Sequence, residues 1–198
     1  MATFQLEKGN KFAIDKGIQK VRIGLGWDLG DKPFDLDASI FGLVHLGGGK
    51  PVFYNDGSHA VCYANKELKK PDGKFVTSDG SIEHSGDNRT GAGDGDDEVI
   101  TIDFSKLPND VIDLAVWVTI YKGRERKQDF SQVKNSYIKV NDAETNAALC
   151  EYKLREEFGT ATSVQVGSFL KGTDGTWHFE AVGAGAAAEI GDVLQQYS

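Results

Sequence analysis

Ile112–Tyr121 reads IDLAVWVTIY, and its two faces decide the fold. Leu114, Val116, Val118 and Ile120 alternate onto one side, while Ala115 and Trp117 put apolar groups on the other. A strand apolar on both faces belongs in the interior of a layered β structure, with packed material on either side. Further runs of strand character are Lys20–Trp27, Asp37–Val44, Val52–Tyr54, Glu98–Phe104, Ser136–Asn141, Ala148–Leu154, Ser163–Lys171 and Trp177–Val182. No strand–helix alternation joins them, and 24 glycines against 4 prolines supply tight turns. The expectation is an all-β chain, a two-sheet β-sandwich forming a single domain over residues 1–198. Helices are few: a short piece at Arg126–Val133, and an amphipathic C-terminal segment, Ala186–Tyr197, with Ile190, Val193, Leu194 and Tyr197 at helical spacing.

Just upstream of the Glu98 strand, Asp79–Glu98 reads DGSIEHSGDNRTGAGDGDDE, with seven carboxylates, five glycines and one basic residue in twenty positions. Folding alone does not ask for this, because carboxylates held close repel by about 1–4 kcal/mol per pair. Clustering Asp87, Asp94, Asp96, Asp97 and Glu98 therefore costs stability unless a cation offsets it. Hard oxygen ligands favour Ca²⁺ or Mg²⁺ over zinc or copper. The competing interpretation is a solvated loop. Against it stand the absence of proline and repetition, and direct continuation into the strand EVITIDF.

An EF-hand does not fit: Asp87 and Glu98 stand at positions 1 and 12, but positions 3, 5 and 6 are Arg89, Gly91 and Ala92. Zinc lacks a ligand set, since Cys62 and Cys150 are isolated and His84 is alone in the block, where it reads as a polar support. A second acidic group, Asp28, Asp31, Asp35 and Asp37, surrounds a turn between two strands, and Asn55 and Asp56 end a third. These strand ends and the loop would converge at one rim of the sandwich. Within that group Asp31 and Asp35 read as exposed turn formers, and Asp37 as an edge residue that could point at the rim.

Basic residues cluster at Lys122, Arg124, Arg126 and Lys127, where an acidic partner or lipid headgroup could dock, although such runs are usually solvated faces. The run Lys66–Lys74, KELKKPDGK, lacks an apolar period and reads as a mobile insertion. A net charge of −8 argues against nucleic acid. Two distant cysteines and a polar start, MATFQLEKGNKFAI, point to a cytoplasmic protein, and no run approaches the length of a membrane helix, so a soluble chain is expected.

With those residues in view, the chain resembles the TerD family of bacterial tellurite-resistance and stress-response proteins over nearly its full length. The resemblance rests on GWD at Gly26–Asp28, FDLDAS at Phe34–Ser39, VFYND at Val52–Asp56 and the acidic block. It continues through the basic segment after Ile120, DFSQVKNSYIKV at Asp129–Val140 and WHFEAVGAG at Trp177–Gly185. GDN-x-TG-x-GDGDDE at Gly86–Glu98 is its most specific part. Three features depart from the family pattern: a longer Gly57–Thr77 segment, Ser131 where glycine is usual, and the ending QQYS. The resemblance implies a calcium-binding β-sandwich holding two Ca²⁺ ions. The ligands it implies are Asp28, Asp37, Asp56, Asp79, Asp87, Asn88, Asp94, Asp96, Asp97 and Glu98. It further implies a role in tellurite and chemical-stress resistance, with other Ter proteins and a TerC-type membrane protein as partners. The acidic charge of Asp79–Glu98 adds the expectation of a Ca²⁺-dependent interaction scaffold, in which the ion orders the rim for partners. The charge and the lack of a long apolar run leave no nucleic acid and no direct membrane insertion expected. The location implied is cytoplasmic, peripheral to the inner membrane through partners.

Two alternatives stay open. One is a Ca²⁺-dependent membrane-surface module, although the block offers only Ile82 and Arg89 for lipid contact. The other is a metal-dependent phosphoesterase-type hydrolase built on Gly86–Asn88 with Asp35 and Asp37. It would need several histidines, and His45, His59 and His178 lie in unrelated segments. No nucleophile elbow, P-loop or dinucleotide fingerprint is present, so the expectation is a non-enzyme.

Overall fold

A computed structural model describes residues 4–5, 9–28, 32–47, 49–91 and 95–198. In chain order the strands are β1 (Phe4–Gln5), β2 (Lys11–Ala13), β3 (Lys20–Asp28), β4 (Leu36–His45), β5 (Pro51–Phe53), β6 (Ala60–Val61) and β7 (Phe75–Val76). They continue with β8 (Ile82–His84), β9 (Glu98–Asp103), β10 (Asp113–Ile120), β11 (Lys134–Asp142), β12 (Ala148–Lys153), β13 (Ser163–Lys171) and β14 (Trp177–Ala186). Short helices are α1 (Gly123–Arg126), α2 (Leu154–Phe158) and α3 (Ile190–Gln195). One sheet has the order β1-β12-β11-β3-β9-β8-β7, the other β2-β14-β13-β10-β4-β5, with β6 paired to β4. Among the described residues all strand pairings are antiparallel except β1 with β12. The architecture is the expected two-sheet sandwich.

Every residue of β10 is buried. Leu114, Val116, Val118 and Ile120 join the core between the sheets, where Ile23, Leu25, Ile100, Ile102 and Phe169 are also buried. Ala115 and Trp117 face a second apolar cluster outside the sheet, with Phe41, Leu43, Val193 and Tyr197. There α3 covers the sheet, and Trp117 Nε1–H donates to Tyr197 Oη at 3.0 Å. Each fully buried large apolar side chain contributes about 1.5–3 kcal/mol, so this two-sided strand is a main source of stability.

Three expectations change. Arg126–Val133 is not one helix: α1 ends at Arg126, Lys127 turns left-handed, and a separate 3₁₀ turn spans Phe130–Gln132. The C-terminal helix begins only at Ile190, because β14 runs on to Ala186 past a bulge and pairs Ala184–Ala186 with Ser163–Gln165. The Lys66–Lys74 run is not an unstructured insertion. Lys66–Leu68 forms a 3₁₀ turn, Lys69 bridges to Phe75, and the Lys66 and Lys69 ammonium groups each sit 5.8 Å from the Phe75 ring centroid.

The topology gathers one set of strand ends at one rim. Antiparallel register places Leu25, near the end of β3, opposite Glu98 at the start of β9. It places Leu36 at the start of β4 opposite Ile120 at the end of β10. The acidic turn before β4, the acidic block before β9 and the basic segment after β10 therefore share that rim.

Candidate metal centre

Glu98 pins the rim. Its side chain is 1% exposed, and Oε2 accepts from the Ala38 backbone N–H at 2.8 Å, so a carboxylate on one sheet is bonded to the backbone of the other. His84 Nε2 lies 3.3 Å from the same oxygen, and the Asn88 N–H donates to Oε1 at 3.1 Å. His84 Nδ1 accepts from the Gly86 N–H at 3.0 Å. An accepting Nδ1 puts the ring proton on Nε2, which then donates to Glu98. Both ring nitrogens are committed, and His84 is a support for the block. Burial pushes the Glu98 carboxyl up, and the His84 contact opposes that rise.

Beside this pin, ligand oxygens of Asp35, Asp37 and Asp87 all lie within 4.8 Å of one another. Two oxygens each about 2.4 Å from one calcium ion can be separated by up to about 4.8 Å, so the spacing fits a single ion. Asp37 is 2% exposed and its Oδ2 has no hydrogen-bond partner among the described residues. Asp35 Oδ1 is likewise buried and unpartnered. Burial pushes the Asp35 carboxyl up to about 6, helped by repulsion from Asp87 and Glu98. Asp37 is pushed well above the usual carboxylate range by burial, then by Glu98 and Asp35. Buried carboxylate oxygens without donors are costly unless a cation meets them. The donor set is all oxygen, which suits a hard divalent ion.

The surroundings hold these groups in place. The Tyr121 N–H donates to the Asp35 carbonyl at 2.8 Å, tying the acidic turn to the end of β10. Tyr63, and Lys66 at the start of the Lys66–Lys74 run, lie close enough to Asp37 to interact with its charge. Trp27 Nε1–H donates to the Phe34 carbonyl at 3.2 Å, and its backbone N–H to Asp97 Oδ2 at 2.9 Å. Gly91 turns left-handed against the Trp27 indole, at a place where a Cβ would collide with the ring.

The other expected ligands divide by what already holds them. Asn88 organises the loop: its Nδ2 donates to Asp97 Oδ1 at 3.0 Å and its Oδ1 accepts from the Thr90 and Gly91 N–H groups. Asp97 thus has a donor on each oxygen. Asp28 is exposed and accepts from Asn135 Nδ2 at 2.6 Å. Asp96 is bound to Arg22, to Lys139 Nζ at 2.9 Å and to Tyr137 Oη at 2.8 Å, and its carboxyl stays low despite burial because of these partners. Two cations already pair with it, on the strands β3 and β11.

Asp79 is taken by Thr77, by the Ser81 N–H and hydroxyl, and by His59, and these bonds hold its carboxyl below the usual range against its burial. Ser58, His59 and Asp79 form a hydrogen-bonded chain, but the three further bonds to Asp79 make it a turn anchor for β7 and β8. Asp56 is exposed on a left-handed turn after β5 and is not part of the cluster. Asp94, like Asp31, lies outside the described residues. Of the expected ligands, then, Asp37 and Asp87 come together with Asn88 and Glu98 beside them. The third carboxylate is Asp35, expected from sequence to be an exposed turn former. Its signal was its place two residues before Asp37 at a strand entry.

The basic segment after β10 is largely spoken for. Arg124 donates to Asp192 Oδ2 at 2.6 Å, its backbone N–H reaches Glu189 Oε1 at 2.9 Å, and Lys122 pairs with Glu125. Arg126 lies 5.0 Å from the Tyr121 ring centroid, within electrostatic reach of Asp35.

Residues 1–197 match the TerD domain family. The chain is 35% identical to general stress protein 16U of Bacillus subtilis, covering 98% of this chain and 97% of that one. It is 34% identical to the tellurium resistance protein TerD of Serratia marcescens, covering 97% and 95%. A solved structure of a TerD homologue from Streptomyces coelicolor superposes with a TM-score of 0.67 at 25% identity, covering 92% of this chain and 97% of that one.

Proposed function

The chain belongs to the TerD family, and from that membership and the rim geometry we propose that it is a calcium-binding stress-response protein. In this reading Ca²⁺ sits on Asp35, Asp37 and Asp87, with Glu98 and Asn88 holding the loop around it. The observation that carries the reading is Asp37, whose buried Oδ2 has no hydrogen-bond partner among the described residues and whose carboxylate groups with those of Asp35 and Asp87 within 4.8 Å. The ion orders the acidic rim into a surface that protein partners recognise, and the protein is a scaffold without catalytic activity. Other Ter proteins and a TerC-type membrane protein are the partners proposed, with the chain in the cytoplasm and held near the membrane through them. Among the described residues no helix is long and apolar enough to cross a membrane.

Relatives named for general stress, tellurium resistance and resistance to chemical-damaging agents place the family in stress response and resistance. Hydrogen exchange over residues 79–98 tests the ordering step. Added Ca²⁺ should slow exchange there and leave β10 unchanged. Equal exchange with Ca²⁺ and with chelator would remove the ion from the account.

A further inference from the structure

Lys32, Arg89 and Arg126, together with Pro33, Asp35 and Gln128, line a cavity of about 370 Å³. Three cationic side chains around one opening are unexpected in a chain of net charge −8. The cavity contains Asp35 itself, so it adjoins the carboxylate cluster directly. Arg89 Nε reaches Asp87 Oδ2 at 3.2 Å. Arg89 and Arg126 both lie within electrostatic reach of Asp35 and act as counter-charges to the cluster. Gln128 is 7% exposed; its Nε2 donates to the Pro33 carbonyl at 3.0 Å, while its Oε1 is buried with no hydrogen-bond partner among the described residues.

We propose that this cavity binds a phosphomonoester once a divalent ion occupies Asp35, Asp37 and Asp87, a proposal that rests on the calcium reading above. Asp35, Asp37, Asp87 and the adjoining Glu98 with one divalent ion leave two negative charges. Three cations face them, so the loaded site is positive by one. A phosphomonoester above its second pKa, about 6, carries close to two negative charges. Arg89 and Arg126 offer planar forked donors suited to phosphoryl oxygens, and Lys32 a third positive charge. A phosphoryl oxygen is also a hard ligand that can complete the coordination of a cation only partly enclosed by protein. The volume is at the small end of ligand pockets, which suits a phosphoryl group with a few further atoms.

The same chemistry is available as a free metabolite or as a lipid headgroup, and the two arms of the test separate them. Chelator-treated protein is first titrated with Ca²⁺ alone, which tests the metal reading by itself. The Ca²⁺-loaded protein is then titrated calorimetrically with sn-glycerol 3-phosphate, and in parallel co-sedimented with phosphatidylcholine vesicles containing phosphatidic acid. Binding of glycerol phosphate in Ca²⁺ and not in chelator is the expected result, and vesicle binding in addition would identify the headgroup as a source. The variants Arg126→Gln and Lys32→Gln, both on exposed side chains, should each weaken phosphoester binding about tenfold and leave Ca²⁺ affinity intact or slightly tighter. Calcium binding with neither phosphoester bound would overturn the pocket and spare the metal site. So would phosphoester binding that is indifferent to Ca²⁺ or to both substitutions.

Discussion

Replacing Asp35 with asparagine should stabilise the ion-free protein and destabilise the calcium-bound one relative to wild type. Asp35 has a carboxyl pushed up to about 6 from 3.8 by burial and by Asp87 and Glu98. At about 1.4 kcal/mol per pH unit the ceiling on the cost of its charge is about 3 kcal/mol. The side chain is only half-buried, so solvent screening brings this to about 1–2 kcal/mol. The folded chain keeps this proton to higher pH than the unfolded chain does. Its contribution is therefore favourable at low pH and is lost as pH rises from about 4 through about 6. Asparagine has no such proton. At pH 7.5 in chelator the variant should be more stable by about 1–2 kcal/mol, a rise of about 2–8 °C in Tm for a chain of this length. Near pH 3.5 the two should coincide.

Calcium reverses the order. An ion at a hundredfold excess over its Kd adds about 2.7 kcal/mol to wild type, and the variant, lacking one ligand charge, should gain little. Thermal unfolding followed by circular dichroism in chelator and in Ca²⁺, at both pH values, reads all of this. A variant less stable than wild type in chelator at pH 7.5, or an equal calcium shift in both proteins, would refute the reasoning.

Other substitutions separate support from ligation. His84→Ala removes the donor to Glu98, leaves the Gly86 N–H without its acceptor and opens a hole beside Phe75. It should cost about 2–4 kcal/mol in urea unfolding with an unchanged slope. Asp96→Asn should destabilise by about 1–3 kcal/mol, because Arg22 and Lys139 lose their shared anion. It should leave calcium affinity within about twofold. Gly91→Ala forces a left-handed alanine against Trp27, and strain passes through the Trp27–Phe34 bond to Asp35. A cost of about 1–2 kcal/mol should weaken calcium binding by roughly five- to thirtyfold, read by titration.

The parts of this protein that could be read from sequence are those set by local pattern. β10 shows its two apolar faces in eight consecutive residues, and the acidic block shows in composition. What escaped depends on distant chain. β6, β7 and β8 are two or three residues long, too short to carry a period. Asp96 looks like its neighbour Asp97 in sequence, and only the strands bearing Arg22 and Lys139 make it an ion-pair centre. Asp35 looks like a turn residue. Its desolvation comes from the fold around it, with Tyr121 clasping its backbone and Asp87 and Glu98 brought against it. Asp79 reads as part of the acidic block until His59, twenty residues earlier, is found bonded to it. Composition located the rim, and strand register decided which carboxylates meet there.

Calorimetric titration of chelator-treated protein with Ca²⁺, repeated with Mg²⁺ and with the Asp37→Asn variant, tests the central claim most directly. The account predicts calcium-selective binding at micromolar or tighter affinity, largely abolished when Asp37 loses its charge. Absence of heat, equal weak heats for both ions, or undiminished binding by Asp37→Asn would contradict it.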